Sequence, residues 1–140
     1  MRQAQHTLTI ATHGKGLTDI TRDITEWLAG QGIGTGLLTV YCRHTSASLL
    51  IQENADPDVQ KDLKNFFEDI VPESRDYIHD TEGPDDMPAH IKTMLTSVSL
   101  QVPVLGGEMA LGTWQGIYVA EHRARPHRRE VVLQFAGSAG

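Results

Sequence analysis

The chain has little with which to hold itself together from outside. A single cysteine, Cys42, rules out an internal disulfide framework and fits a reducing compartment. No apolar run approaches the ~20 residues that a membrane-spanning helix needs. The first residues, MRQAQHTLTIATHGKG, lack the apolar centre of a signal peptide, so a cytoplasmic location and no membrane partner are expected. Positive charge is also short. The formal net charge is −6, and the surface as a whole does not attract nucleic acid. Low-complexity segments, internal repeats and linkers are missing, so 140 residues are read as one domain, residues 1–140. A chain of that length buries roughly two-thirds of the surface its unfolded form exposes.

The polar residues that are present are unevenly placed. Acidic side chains crowd Glu53 to Asp86, and arginines crowd the HRARPHRR stretch from His122 to Arg129. Hydrophobic periodicity gives the secondary structure. Thr7 to Thr12 alternates and reads as a strand. Leu17, Ile20, Ile24, Trp27 and Leu28 recur at helical spacing, with Thr18 or Asp19 as cap. Gly36 to Cys42 and Ser48 to Gln52 read as strands. Asp56 and Pro57 open a second helix whose expected buried face is Val59, Leu63, Phe66, Phe67 and Ile70. Ala89 to Leu95 reads as a short helix, and strands are expected over Ser97–Leu105, Glu108–Glu121 and Glu130–Phe135. Strands and two to three helices without strict βαβ alternation predict an α+β fold with a largely antiparallel sheet.

Three polar patches interrupt this pattern. The densest is HDTEGPDDMPAH, His79 to His90, with two histidines and four carboxylates among glycine and proline. Packing does not dictate such residues, and loops of this kind tend to carry function. Cys42-Arg43-His44-Thr45-Ser46-Ala47-Ser48 lies upstream, and Gly112-Thr113-Trp114-Gln115-Gly116 downstream. Neutral imidazole is both a transition-metal ligand and an acid–base group near neutral pH. His44, His79 and His90 are the candidate metal ligands, for a divalent ion such as zinc or magnesium, although their spacing matches no zinc-finger or HExxH pattern. His44 and Glu82 are also candidate catalytic groups, Glu82 by completing or orienting the ligand shell. Ser46, Ser48, Arg128 and Arg129 are candidates for binding phosphate oxygens. Gln115 is the third candidate catalytic group, by orienting a ligand. Trp114 reads as a core or subunit-interface aromatic, and Cys42 as a buried, inert thiol.

The segments HTSASLLIQENADPDVQKDL (His44 to Leu63), HDTEG with AHIK (His79 to Lys92), and SLQVPVLGGEMALGTWQGI (Ser99 to Ile117) resemble the YjbQ-like family, also described as secondary thiamine-phosphate synthase enzymes. The resemblance covers nearly the whole chain. It implies an α+β homotrimer with sites near subunit boundaries. It also implies a weak ability to join a thiazole phosphate to a pyrimidine pyrophosphate, as a side activity to another native role. One departure is visible: many members carry glycine and proline before an arginine-rich end strand, where this chain has His122-Arg123-Ala124-Arg125-Pro126-His127. Two functions follow as expectations, a small metal-associated enzyme acting on an anionic metabolite, or a non-catalytic trimeric module that binds such a metabolite or a protein.

Overall fold

The computed structural model describes residues 1–140. Its elements in chain order are β1 (Arg2–Ala11), β2 (Gly16–Asp19), α1 (Thr21–Ala29), β3 (Ile33–Cys42), β4 (Ala47–Glu53), α2 (Pro57–Ile70), α3 (Asp86–Leu95), β5 (Ser99–Leu105), β6 (Glu108–Met109), β7 (Gln115–Glu121) and β8 (Arg128–Ala139). A five-stranded sheet runs in the order β1-β8-β3-β5-β6, and a three-stranded sheet in the order β2-β7-β4. Every pairing is antiparallel. The α+β class expected from the sequence is therefore the observed one. No helix is long and apolar enough to cross a membrane.

Alternation along the strands explains the layering. Leu38, Val40 and Cys42 of β3 and Val131, Leu133 and Phe135 of β8 turn into one core. They meet Ala47 and Leu49 of β4, Ile117 and Val119 of β7, and Ile24 and Leu28 of α1. The opposite face of the five-stranded sheet leaves Leu37 and Tyr41 exposed. β7 is buried from Gly116 to Glu121, because the second face of the small sheet is covered as well. Close approach between β3 and β8 requires glycine: a Cβ on Gly36 would meet Ala136 O at 2.3 Å, and one on Gly137 would meet Thr35 O at 2.3 Å.

Four sequence expectations need correction. Leu17 belongs to β2 and not to a helix, since Gly16 to Asp19 pairs with β7 and α1 begins at Thr21. The expected strand from Glu108 to Glu121 is two strands, separated by the Gly112–Trp114 turn. α2 starts as foreseen, with Asp56 Oδ1 accepting from the Asp58 N–H at 2.9 Å. Its apolar face is only partly covered, however. No α2 residue is fully buried, and Phe66 and Ile70 are exposed. Trp114 is likewise 63% exposed and is not a core residue.

Candidate metal centre

The acidic segment after α2 has almost no apolar content and folds as a loop until α3 begins at Asp86. Gly83 makes the turn, with φ +104°, a conformation that side-chain-bearing residues avoid. Because α3 starts at Asp86, Asp86 and His90 stand four residues apart on one helix face. The loop returns His79 to the same place. One ligand atom each from His79, Asp86 and His90 lie within 4.8 Å of one another. His79 Nε2 is 2.6 Å and His90 Nε2 3.2 Å from Asp86 Oδ2, and the two rings are 5.6 Å apart at their centroids.

The surroundings fix this trio. His90 Nδ1 lies 2.8 Å from Thr45 O. A carbonyl only accepts, so the Nδ1 proton is directed there, and in the neutral ring the Nε2 lone pair faces the Asp86 carboxylate. Two acceptors opposed in this way call for a cation between them, a proton or a metal ion. Asp86 is 1% exposed. Burial works to raise its pKa, but the His79 hydrogen bond and the His90 and Arg123 charges outweigh it and hold the carboxyl below the usual range. Arg123 is the anchor. It donates from Nη1 to Asp86 Oδ1 at 2.8 Å, from Nε to Asp85 Oδ2 at 2.9 Å and from Nη2 to Glu82 O at 2.9 Å. Against the desolvation cost, Arg123 and the Ala124 N–H bring the Asp85 pKa down to about 2. Two imidazoles and one carboxylate are a zinc-type donor set, and it leaves a fourth position free for water or substrate.

His44, the third expected ligand, is outside this trio. Its Nε2 accepts from the Glu130 N–H at 2.7 Å, and burial together with Arg129 lowers its pKa. It does share a surface depression with His90. That depression, about 860 Å³ and open, is also lined by Arg43, Thr45, Thr93, Ser97 and Ser99. Thr93 Oγ1 is buried there without a hydrogen-bond partner.

Of the other expected site residues, Glu82 adjoins the trio and the rest are dispersed. Glu82 contributes its backbone carbonyl to Arg123. Gln115 lies at the far end of β7 from Glu121, where its Oε1 accepts from the Gly112 N–H at 2.8 Å. Arg129 is buried and bound to Glu121 through Nε at 2.8 Å and through Nη2, with a further Nη2 bond to Ser46 Oγ at 3.0 Å. These bonds occupy its Nε and Nη2 within the chain. Ser48 is also buried, between Thr96 Oγ1 at 2.6 Å and His122 Nε2 at 2.8 Å. Arg128 is exposed. Cys42 is 1% exposed and burial raises its pKa, which leaves it an unreactive thiol. Sequence reasoning missed Asp86 and Arg123. Asp86 was hidden by placing the helix start at Ala89, which left the Asp86–His90 spacing unread.

The comparisons agree on one assignment. The model of the family described as UPF0047 protein YjbQ-like matches residues 6–138. The chain belongs to the YjbQ/UPF0047 family. It is 54% identical over 137 residues to the UPF0047 protein sll1880 of Synechocystis, covering 97% of this chain and 93% of that one. It is 42% identical over 134 residues to the UPF0047 protein YjbQ of Escherichia coli O157:H7, covering 95% and 97%. Among solved structures, an uncharacterized conserved YjbQ/UPF0047 protein from Clostridium acetobutylicum superposes with a TM-score of 0.83 at 34% identity, covering 95% of this chain and 99% of that one. A protein of unknown function from Sulfolobus solfataricus has the same fold, with a TM-score of 0.87 at 20% identity, covering 98% of this chain and 100% of that one.

Proposed function

We propose that this YjbQ/UPF0047 protein is a metal-dependent enzyme in which His79, Asp86 and His90 hold a zinc ion at the edge of the depression shared by His44 and His90. The observation that carries the reading is the convergence of the three ligand atoms within 4.8 Å. The Thr45 bond that orients His90 and the Arg123 bond that orients Asp86 add to it. When bound, the ion supplies positive charge for a leaving phosphate or pyrophosphate. The substrate is a small anionic metabolite. In this depression the cation is Arg43, which also pairs with Glu130 at 3.6 Å, and the hydroxyls of Thr45, Thr93, Ser97 and Ser99 are the available oxygen-binding groups. His44 is held as an uncharged ring by burial and Arg129, and because its Nε2 accepts from the Glu130 N–H its Nδ1 carries the proton and is suited to donate to a substrate oxygen.

The first reaction to assay is the coupling that the family resemblance implies. In it the thiazole nitrogen forms a bond to the pyrimidine's methylene carbon as the bond from that carbon to pyrophosphate breaks. Such a displacement needs charge stabilisation and positioning more than covalent help. Zinc analysis of the purified protein and coupling assays on the unmutated protein and His90→Ala together test the reading. Stoichiometric zinc and activity that are both lost in His90→Ala are expected. A zinc-free protein that His90→Ala leaves equally active refutes it. We also propose a homotrimer. Support comes from Leu37 and Tyr41, exposed on the outer face of the large sheet, and from Trp114, exposed in a turn.

A further inference from the structure

A second cavity, of about 300 Å³, lies beneath α2. It exists because α2 covers the small sheet without sealing it. The sheet presents Leu17, Leu50, Ala120 and His122 to this space, and α2 closes it with Leu63 and Phe67 among others. Lys92 comes from α3. It stands two residues beyond His90, about 200° around the helix at 3.6 residues per turn, and so faces away from the metal centre.

The polar groups around this apolar space are not all satisfied. Lys92 is 2% exposed. An ammonium has three N–H donors, and Lys92 uses one of them, to Glu68 Oε1 at 2.8 Å. His122 is 5% exposed and has a partner for Nε2 only, Ser48 Oγ. Whichever way the protons run along Thr96, Ser48 and His122, the His122 Nδ1 has no hydrogen-bond partner within the chain. The charge around the space is also unbalanced. Lys15, Lys61, Lys64 and Lys92 line it against Glu68 and Glu121; Glu121 is already matched by Arg129, while Lys15 is also paired with Glu73 and the exposed Lys61 with Asp58, which leaves Lys64 and the two free donors of Lys92 as the unmatched positive groups. Buried polar groups with unmet hydrogen-bonding capacity, beside an apolar wall and an excess of ammonium groups, describe a pocket for a molecule that is apolar at one end and anionic at the other.

We propose that the cavity beneath α2 binds a small amphipathic anion, its carboxylate or phosphate head on Lys92 and its compact apolar body against Leu17, Leu50, Leu63 and Phe67. This site is separate from the His79–Asp86–His90 centre, and it stands or falls independently of the zinc reading.

The test is calorimetric titration of the full-length protein with phenylacetate, phenyl phosphate and 2-phenylethanol, which share an aromatic body and differ in the head. Saturable binding is expected for at least one anion, at about tenfold or more above the alcohol, the ratio worth one charge-assisted hydrogen bond. The better anion identifies the head. Methyl NMR of the unmutated protein should place the shift changes at Leu17, Leu50 and Leu63. Lys92→Met should remove the preference for the anion. Since that change also unpairs Glu68, Leu50→Trp is the companion variant: it fills the space, keeps every charge, and should abolish binding. No saturation by any probe, equal affinity for the alcohol and both anions, shift changes located elsewhere, or unchanged binding to folded Leu50→Trp would each overturn the proposal.

Discussion

Arg123 Nη1 lies 2.8 Å from Asp86 Oδ1, on the carboxylate oxygen that the two histidines do not use. The division matters chemically. One oxygen is held by a fixed guanidinium, and the other is left aimed at His79 and His90. Because Arg123 also holds Asp85 Oδ2 and the Glu82 carbonyl, it ties the acidic loop and the start of α3 to the end of β7. Arg123→Gln should therefore weaken zinc binding without removing a ligand, by about 10–100-fold. Competition against a chromogenic chelator measures this. Asp86→Asn should cost more than Arg123→Gln, and an Arg123→Gln protein with unchanged zinc affinity would show that the guanidinium is a structural clamp only.

The helix α2 supplies a stability prediction opposite to the one its periodicity suggests. Phe66 recurs at helical spacing with Leu63 and Ile70, yet it is 59% exposed. Its truncation should shift stability by no more than about 0.5 kcal/mol, the range of surface substitutions. Phe135 is 0% exposed in the core, and Phe135→Ala should cost about 3–5 kcal/mol. Chemical denaturation of both variants decides the matter. A large loss for Phe66→Ala would mean that another subunit covers this face in solution.

These cases show what the sequence could and could not disclose. Strands with one buried face, such as β3 and β8, were legible because alternation and burial share a period of two. The α2 start was legible because Asp56 and Pro57 act locally. The extent of α2 burial was not, because an amphipathic pattern says which face is apolar and nothing of how closely it is covered. The site divides in the same way. His79 and His90 were visible as polar residues in a loop that packing did not require. Asp86 depended on the first turn of α3, and helix boundaries are the least secure part of a pattern reading. Arg123 was obscured because it belongs to an arginine-rich turn in which any residue could have been the one engaged. The pairing that decides its role spans 37 positions of sequence.

Neighbouring arginines on β8 should behave very differently. Arg129 is 4% exposed and bonded to Glu121, which is itself 2% exposed and also accepts from Thr12 Oγ1 at 2.6 Å. Arg129→Met leaves a buried carboxylate without its cation and should cost about 3–5 kcal/mol. Arg128 points outward at the next position, and Arg128→Ala should stay within about 0.5 kcal/mol. Thermal denaturation of the pair tests this. Equal midpoints for the two variants would remove the buried-pair account.

Assembly has a direct check. Light scattering at micromolar concentration should report three times the 15.4 kDa subunit. A single-subunit mass would refute the trimer. If the trimer is present, Tyr41→Glu, on the exposed face of β3, should dissociate it while circular dichroism stays native.

The last prediction concerns acid. Burial, reinforced by Lys92 and Arg129, lowers the His122 pKa to about 4 from an ordinary 6.5. Above pH 6.5 the ring is neutral in both folded and unfolded chains, and its contribution to stability is whole. Between 6.5 and 4 the unfolded chain takes up a proton that the folded chain refuses, so stability falls as pH falls. The full loss is about 3 kcal/mol. The depressed carboxylates Asp85, Asp86, Glu68 and Glu121 act in the same direction, but their losses begin lower, as pH approaches the ordinary carboxylate range. His44 shifts in the same direction as His122 and is more exposed, so part of the slope between pH 6.5 and 5 belongs to it. Urea unfolding of the unmutated protein and of His122→Gln across pH 5 to 6.5 separates these contributions. The variant loses the Ser48 bond and should be less stable at every pH, but its stability should change less with pH. Parallel curves for the two proteins would show that His122 is not the buried neutral base described here.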